Sequence, residues 1–227
     1  RNLDMVYVLE NNGVYGLTKG QYSATAVKGS KKKKGPTNEH QPIDLCKLAI
    51  NLGCTFVARS FSGSKKQLTA LMKAAMSHKG FALIDVISPC VTFNNNDESL
   101  RSYTYVKDND VELHAYDYIP TQSPIESAAA PEGEFHDITL FDGSILRLET
   151  IGSDHDPTDA MAALNALHKA ESEDKHVTGL LYFDPDTATA TEDQCLVATP
   201  LSEVDDEIMR PSAASLQTLN DRFRGKA

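Results

Sequence analysis

The sequence predicts an α/β fold with a mainly parallel sheet flanked by helices, and three observations carry that expectation. Apolar runs of strand length occur at residues 5–9 (MVYVL), 54–58 (CTFVA) and 81–87 (FALIDVI). Segments of helical periodicity, 42–52 and 64–79, lie between them. Glycines at 53 and 80 make the joints short. Strand, helix, strand, helix, strand is the pattern of a parallel sheet covered on both faces.

Each element has its own justification. The first run is five consecutive apolar residues, as expected of a strand buried on both faces. It breaks at Glu10-Asn11-Asn12-Gly13, turn chemistry that allows left-handed backbone angles directly after the strand. Pro42 opens a helix through residue 52, with Ile43, Leu45, Cys46, Ala49, Ile50 and Leu52 on its apolar face and Gly53 as its stop. Ser64 caps a second helix whose Leu68, Leu71, Met72, Ala75 and Met76 recur at i, i+3, i+4, i+7 and i+8. Asp97 caps a third, through about Tyr105, with Leu100, Tyr103 and Val106 on one side. Residues 119–134 turn to Pro, Ser, Ala and Gly and read as a linker. Asp142-Gly143 between two alternating arms in 138–151 signals a hairpin. Asp156-Pro157-Thr158-Asp159 starts a helix with acids at the positive end of its dipole, and Ala160, Ala163, Leu164, Leu167 and Ala170 form its buried face. Residues 179–185 are a last short strand, and the polar tail after Pro211 holds a weak final helix. The expected division is therefore 1–118, a linker at 119–134, and a C-terminal hairpin and helix extension at 135–227.

A loop at the C-terminal end of a parallel strand is where open α/β sheets bind ligands. In the loop after the first strand, the residue types suggest an ion and a phosphate. Asn12 offers a neutral amide oxygen and Val14 a carbonyl two residues on, hard oxygens of the kind Mg²⁺ takes. Gly16 and Gly20 allow close backbone approach, and Thr18 and Lys19 supply a hydroxyl and a cation. Alone, Asn-Gly and spaced glycines also describe an ordinary loop. Ser88-Pro89-Cys90 leaves the strand at 81–87 toward the same edge if the strands are parallel. On spacing alone a lone cysteine such as Cys90 is ordinary packing, and Cys46 and Cys54 read as core.

The wording NNGVYGLTKGQYS at residues 11–23 resembles the second half of the thiamine-diphosphate motif in β subunits of 2-oxoacid:ferredoxin oxidoreductases, and YGLTKGQ resembles their 2-oxoglutarate branch. The resemblance resumes at 53–59 (GCTFVAR) and 81–93 (FALIDVISPCVTF), covering roughly the first half of the chain. It implies a thiamine-diphosphate-binding fold, with residues 1–118 as the C-terminal part of that domain. The implied activity is oxidative decarboxylation of a 2-oxoacid with coenzyme A to acyl-CoA and CO₂, with electrons passed through a [4Fe–4S] cluster to ferredoxin. In the residues, it implies Mg²⁺ on Asn12 and the Val14 carbonyl, cofactor contacts from Tyr15, Gly16, Leu17 and Thr18, a gate or substrate-facing charge at Lys19, and Cys90 as a cluster ligand. An α subunit carrying the other face of the cofactor site is implied too, in an αβ heterodimer or a dimer of αβ units, in the cytoplasm. The family's GDG motif and three of its four cluster cysteines lie upstream of the point where this chain begins. Only eleven residues precede Asn12, starting at Arg1, so a truncated chain is expected. One departure is Ala24, where the family usually has Pro; the loop's exit is less rigid but the ligands are spared. Two rival readings stand beside this one. A non-redox thiamine-diphosphate decarboxylase or synthase subunit would have no use for Cys90, and a cofactor-free assembly subunit would need none of these residues.

Composition narrows the partners. The 227 residues carry a net charge of −10, which excludes nucleic acid as the natural partner because phosphate binding needs a dominant basic face. No run approaches the length of a membrane span. Cys46, Cys54, Cys90 and Cys195 show no CxxC spacing, which suits a reducing compartment. The run KGSKKKKGP at residues 28–36, with Lys31 to Lys34, is either a solvated loop or a patch for the phosphates of coenzyme A, a partner subunit or an acidic ferredoxin. The acids around His155 are explained by helix capping rather than by a metal, and His168 with them.

Overall fold

In chain order the elements up to Ala190 are β1 (Met5–Asn11), β2 (Val14–Tyr15), β3 (Gln21–Tyr22), α1 (Leu45–Asn51), β4 (Phe56–Phe61), α2 (Lys65–Ser77), β5 (Phe81–Ile87), α3 (Tyr103–Asn109), β6 (Asp110–Glu112), β7 (His114–Ile119), β8 (Phe135–Thr139), β9 (Ile145–Thr150), α4 (Ala160–Ser172) and β10 (His176–Phe183). The computed structural model describes residues 2–16, 21–30, 36–92, 95, 99–119, 135–139, 145–150 and 155–225. The main sheet has the order β1-β5-β4-β10-β6. Three of its four neighbouring pairs are parallel, and β10 runs antiparallel to β4. The expected α/β architecture, a mainly parallel sheet flanked by helices, is what the chain adopts.

Strand alternation decides which helix covers which face. Ala82, Ile84 and Val86 of β5 join Phe56 and Ala58 of β4 against Ala70, Leu71, Ala74 and Ala75 of α2. On the opposite face Leu83 and Val57 pack with Cys46, Ala49 and Ile50 of α1 and with Ala163, Leu167 and Ala170 of α4. Cys46 and Cys54 are buried, in line with the core role expected of them.

Several elements differ in detail from the sequence reading, and side chains explain why. The first helix begins at Leu45 rather than Pro42, because the Asp44 carboxylate accepts from Lys47 N at 3.0 Å and sets the cap there. The buried face of α2 is Gln67, Ala70, Leu71, Ala74 and Ala75, while Met76 is 70% exposed. Small residues let this helix approach the sheet, and Gln67 is admitted because it accepts from Ser60 Oγ (2.7 Å) and donates to Thr178 Oγ1 (3.1 Å). Ser64 occupies the cap position of α2 without a side-chain capping bond. Ser102 caps α3 by accepting from Tyr105 N, so that helix starts later than expected; Asp97 lies outside the described residues. Helix α4 begins as read, with Asp159 accepting from Met161 N and Ala162 N.

β1 is the largest departure. It was expected to be buried on both faces, yet it is an edge strand paired only with β5 among the described residues, with Met5, Tyr7 and Val8 at least 40% exposed. Its exposed face continues into an apolar groove of about 480 Å³ lined by Tyr7, Leu48, Leu52, Cys54, Phe81 and Leu83.

The arms of the expected hairpin are β8 and β9, which pair antiparallel; the Asp142-Gly143 turn lies outside the described residues. β7 adds a third strand to them, which the sequence reading did not anticipate. Apart from Ile119, the linker expected at 119–134 also lies outside the described residues. α4 and β10, read as parts of an extension, belong to the main sandwich, and the first compact unit accordingly runs to Ala190. A second unit, Thr191–Ala227, follows from a short α5 (Ala190–Asp193) and holds α6 (Asp206–Met209) and α7 (Ala213–Phe223). Among the described residues no helix is long and apolar enough to cross a membrane.

The face assignment of α2 is testable by chemical unfolding. Leu71→Ala removes a side chain with no exposed surface and is expected to cost about 2–5 kcal/mol. Met76→Ala on the same helix is expected to cost about 0.5 kcal/mol or less. Equal losses would contradict the assignment.

Candidate functional site

The parallel pairing of β1 with β5 brings two loops to one edge. Asn11 is in register with Ile87, and Ser88 N donates to Asn11 O at 3.2 Å, so the segments leading to Asn12 and to Cys90 leave the sheet side by side. Asn12 Oδ1 accepts from Val14 N at 3.0 Å, and Gly13 takes φ 71°, which closes a tight turn at the end of the strand. The chain then forms a small ribbon in which Val14 pairs with Tyr22 and Tyr15 with Gln21, and Ser23 N donates to Gly13 O. Tyr15 is 57% exposed, and no atom lies within 4 Å of where a side chain on Gly16 would begin. Leu17, Thr18 and Lys19 lie outside the described residues, as do Lys31 to Lys34. Cys90 is a free, partly buried thiol three residues beyond the end of β5.

Beneath this edge lies a buried polar network that the sequence reading missed. Asp85, 1% exposed, accepts from Arg59 Nε and from Asn11 Nδ2, each at 2.9 Å. Arg59 Nη2 reaches Asp44 Oδ1 at 2.8 Å, which ties the network to the cap of α1. Burial acts to raise the Asp44 pKa, but the charge and hydrogen bond of Arg59 and the Lys47 amide outweigh it, so the carboxyl titrates below its ordinary range. Burial holds the Cys46 thiol far above its ordinary pKa, which keeps it inert. On the loop side Thr25 Oγ1 donates to Asn11 Oδ1 at 2.7 Å, and the Arg101 guanidinium donates to the carbonyls of Asn11 (3.3 Å) and Thr25 (2.8 Å). The available signal was a single acid in an otherwise apolar strand and a basic residue directly after the apolar run of its neighbour; register puts Asp85 and Arg59 directly opposite each other.

Asn11, Asp44, Arg59, Asp85 and Arg101 of this network line a cavity of about 670 Å³, together with Lys28, Lys175 and His176. His176 Nε2 donates to Leu100 O at 2.9 Å, and the ring stacks edge-on to Tyr105. Burial, reinforced by the nearby Arg59 and Arg101 charges, brings the His176 pKa to about 4, so the ring is neutral at pH 7. His155 Nε2 bonds Leu181 O in the core and His168 pairs with Lys47 on the surface.

Comparison with known proteins bears on what this edge serves. Residues 1–86 match the thiamine pyrophosphate enzyme, C-terminal TPP binding domain family. The 2-oxoacid:ferredoxin oxidoreductase subunit beta of a Sulfolobus species is 51% identical over 96 residues, 42% of this chain and 32% of that one. Over this stretch the chain is similar to 2-oxoacid:ferredoxin oxidoreductase β subunits. The 2-oxoglutarate synthase subunit KorB of Methanocaldococcus jannaschii is 36% identical over 119 residues, 50% of this chain and 44% of that one. The chain thus spans less than half the length of these β subunits. Among solved structures, the 2-oxoglutarate:ferredoxin oxidoreductase of Magnetococcus marinus, with 2-oxoglutarate, coenzyme A and succinyl-CoA bound, superposes with a TM-score of 0.62 at 28% identity over 86% of this chain and 52% of that one. The donor set on the Asn12 turn fits a magnesium-held diphosphate, because it offers neutral hard oxygens beside the open space at Gly16. An amide oxygen carries two lone pairs, so the bond from Val14 N does not by itself preclude a metal.

The buried histidine makes a pH-dependent contribution whose sign follows from its depressed pKa. Between about 4 and 6.5 the unfolded chain binds the proton and the folded chain does not, so stability is full above pH 6.5 and is lost as the pH falls toward 4. Asp110, raised by burial to about 6, works oppositely: its contribution is full below 3.8 and lost as the pH rises toward 6. In His176→Gln the drop in urea midpoint from pH 7 to pH 5 is expected to be smaller than in the unmodified protein. An identical drop in both proteins would count against a buried neutral His176.

Proposed function

We propose that this chain is part of a β subunit of a thiamine-diphosphate-dependent 2-oxoacid:ferredoxin oxidoreductase, acting on 2-oxoglutarate with coenzyme A. The observation that carries the reading is the shared edge of β1 and β5, from which both the Asn12 turn and the Cys90 segment leave, in a region similar to such β subunits. Asn12 Oδ1 and the Val14 carbonyl would hold Mg²⁺ against the cofactor diphosphate. Tyr15, Gly16, Leu17 and Thr18 would line the cofactor, and Lys19 would act as a gate or substrate-facing charge.

When bound, thiamine diphosphate would supply the nucleophile and the electron sink that decarboxylation of a 2-oxoacid needs. The chain's part is to seat that cofactor. A rigid strand end presents the Asn12 turn at fixed depth, and Gly16 leaves the space beside it clear. Two electrons leave the 2-oxoacid as the acyl-CoA thioester forms, and ferredoxin accepts them one at a time. A [4Fe–4S] cluster suits that transfer, and the Cys90 thiolate would be one of its ligands. Among the described residues no group of three His, Cys, Asp or Glu side chains could hold a metal, so the other cluster ligands would come from outside them. An α subunit would complete the cofactor site, and the Lys31 to Lys34 run would face coenzyme A or ferredoxin.

Two variants of the full-length αβ complex test this. Asn12→Ala is expected to weaken calorimetric binding of thiamine diphosphate in Mg²⁺ by about tenfold or more. Cys90→Ser is expected to abolish the iron–sulfur absorbance and ferredoxin reduction together. Retention of full iron content and of ferredoxin reduction by Cys90→Ser would remove Cys90 as a cluster ligand, and an unmodified complex that turns over 2-oxoacids without reducing ferredoxin would instead point to a non-redox thiamine enzyme. A panel of 2-oxoacids then reports the substrate.

A further inference from the structure

Arg101 is 7% exposed and lies far in sequence from everything its guanidinium touches. Nη1 donates to the carbonyl of Asn11, ninety positions away, and Nη2 to that of Thr25, seventy-six positions away. Asn11 and Thr25 are the residues immediately before and just after the turn and ribbon that carry Asn12 to Tyr22, and they are also bonded to each other through Thr25 Oγ1 and Asn11 Oδ1. The two ends of that segment therefore meet at one guanidinium.

The arginine is itself held firmly. Its own N donates to Ser99 Oγ, the next residue caps α3, and the preceding carbonyl accepts from His176. Val106 of α3 packs with Phe61 and Ile87 at the ends of β4 and β5, which anchors the helix to the same edge. A planar fork with two donors can bind two carbonyls at once, whereas a lysine ammonium offers a single point of charge. Among the described residues Arg101 forms no ion pair, and its Nε is buried with no hydrogen-bond partner. A buried cation with one donor unused is a poor brace on stability grounds alone. What it accomplishes is geometric.

We propose that Arg101 is a positioning residue that clasps the start and end of the Asn12 segment and holds that segment at the depth where it meets the cofactor. The clasp rests on the proposed function for its meaning, since it is the thiamine diphosphate site that it would hold open for binding.

The test uses the full-length αβ complex with Arg101→Met and Arg101→Lys. Hydrogen–deuterium exchange at residues 12–16 and 21–25 is expected to speed up at least about tenfold in Arg101→Met, with β4 and β5 unchanged. Calorimetric affinity for thiamine diphosphate in Mg²⁺ is expected to fall at least about tenfold in the same variant, and by less in Arg101→Lys. Should Arg101→Met fail to fold, Arg101→Lys keeps the buried charge and carries both measurements. Unchanged exchange in a folded variant overturns the clasp, and faster exchange with unchanged affinity overturns its positioning role. If the unmodified complex binds no thiamine diphosphate while exchange still depends on Arg101, the clasp stands and the functional reading is what fails.

Discussion

The carboxylate of Asp85 is the charge around which the edge of this sheet is built. A carboxylate taken out of water costs several kcal/mol unless it is paired and hydrogen-bonded. Here one oxygen is met by Arg59 and the other by Asn11, on the two strands that flank it. Three parallel strands are thereby locked by side chains across one face as well as by their backbone ladders. The second arm of Arg59 reaches Asp44, so the start of α1 belongs to the same network.

This arrangement explains why an α/β sandwich can present a precise edge without a large loop structure. On the face covered by α1 and α4, apolar packing holds the lower part of the strands, and the side chains become polar toward the end where Asn11, Asp85 and Arg59 lie. Asn11 is fixed by its amide on one side and by its carbonyl on the other, since Ser88 N and Arg101 both donate to it. The turn that begins at Asn12 is therefore positioned by a neighbour that has little freedom to move. The opposite edge of β1 is different in kind: Met5, Tyr7 and Val8 are exposed there, and the groove beside them is apolar.

The strands read at 54–58 and 81–87 were legible because their apolar runs are short and each follows a glycine, and the α/β class follows from their alternation with helices. Strand order was not. Nothing local in HVTGLLYF says that β10 enters between β4 and β6, antiparallel to the first and parallel to the second. The exposure of β1 was hidden for the same reason, because an apolar run records a preference for burial and not the neighbour that provides it. The face of α2 was read in the main, since Leu71 and Ala75 are buried and Leu68 and Met72 pack against the same core; Met76 is exposed instead, and Gln67 was missed because it finds partners only across the folded sheet. At the candidate site, parallel-strand logic was enough to bring the Asn12 and Cys90 segments to one edge. Their support was not legible, because residues 11, 25, 59, 85 and 101 become neighbours only once register is known. The roles of Leu17, Thr18 and Lys19 rest on motif wording alone.

Cooperation between Asn11 and Asp85 in seating the Asn12 turn is the central physical claim. It is measured most directly by a double-mutant cycle of Asn11→Ala and Asp85→Asn in the full-length complex, read as the dissociation constant for thiamine diphosphate in Mg²⁺. The expected result is that each single change weakens binding and that the double variant is little worse than the weaker single, a coupling of about 1 kcal/mol or more. Losses that simply multiply would contradict it, because they would mean that the two residues act independently.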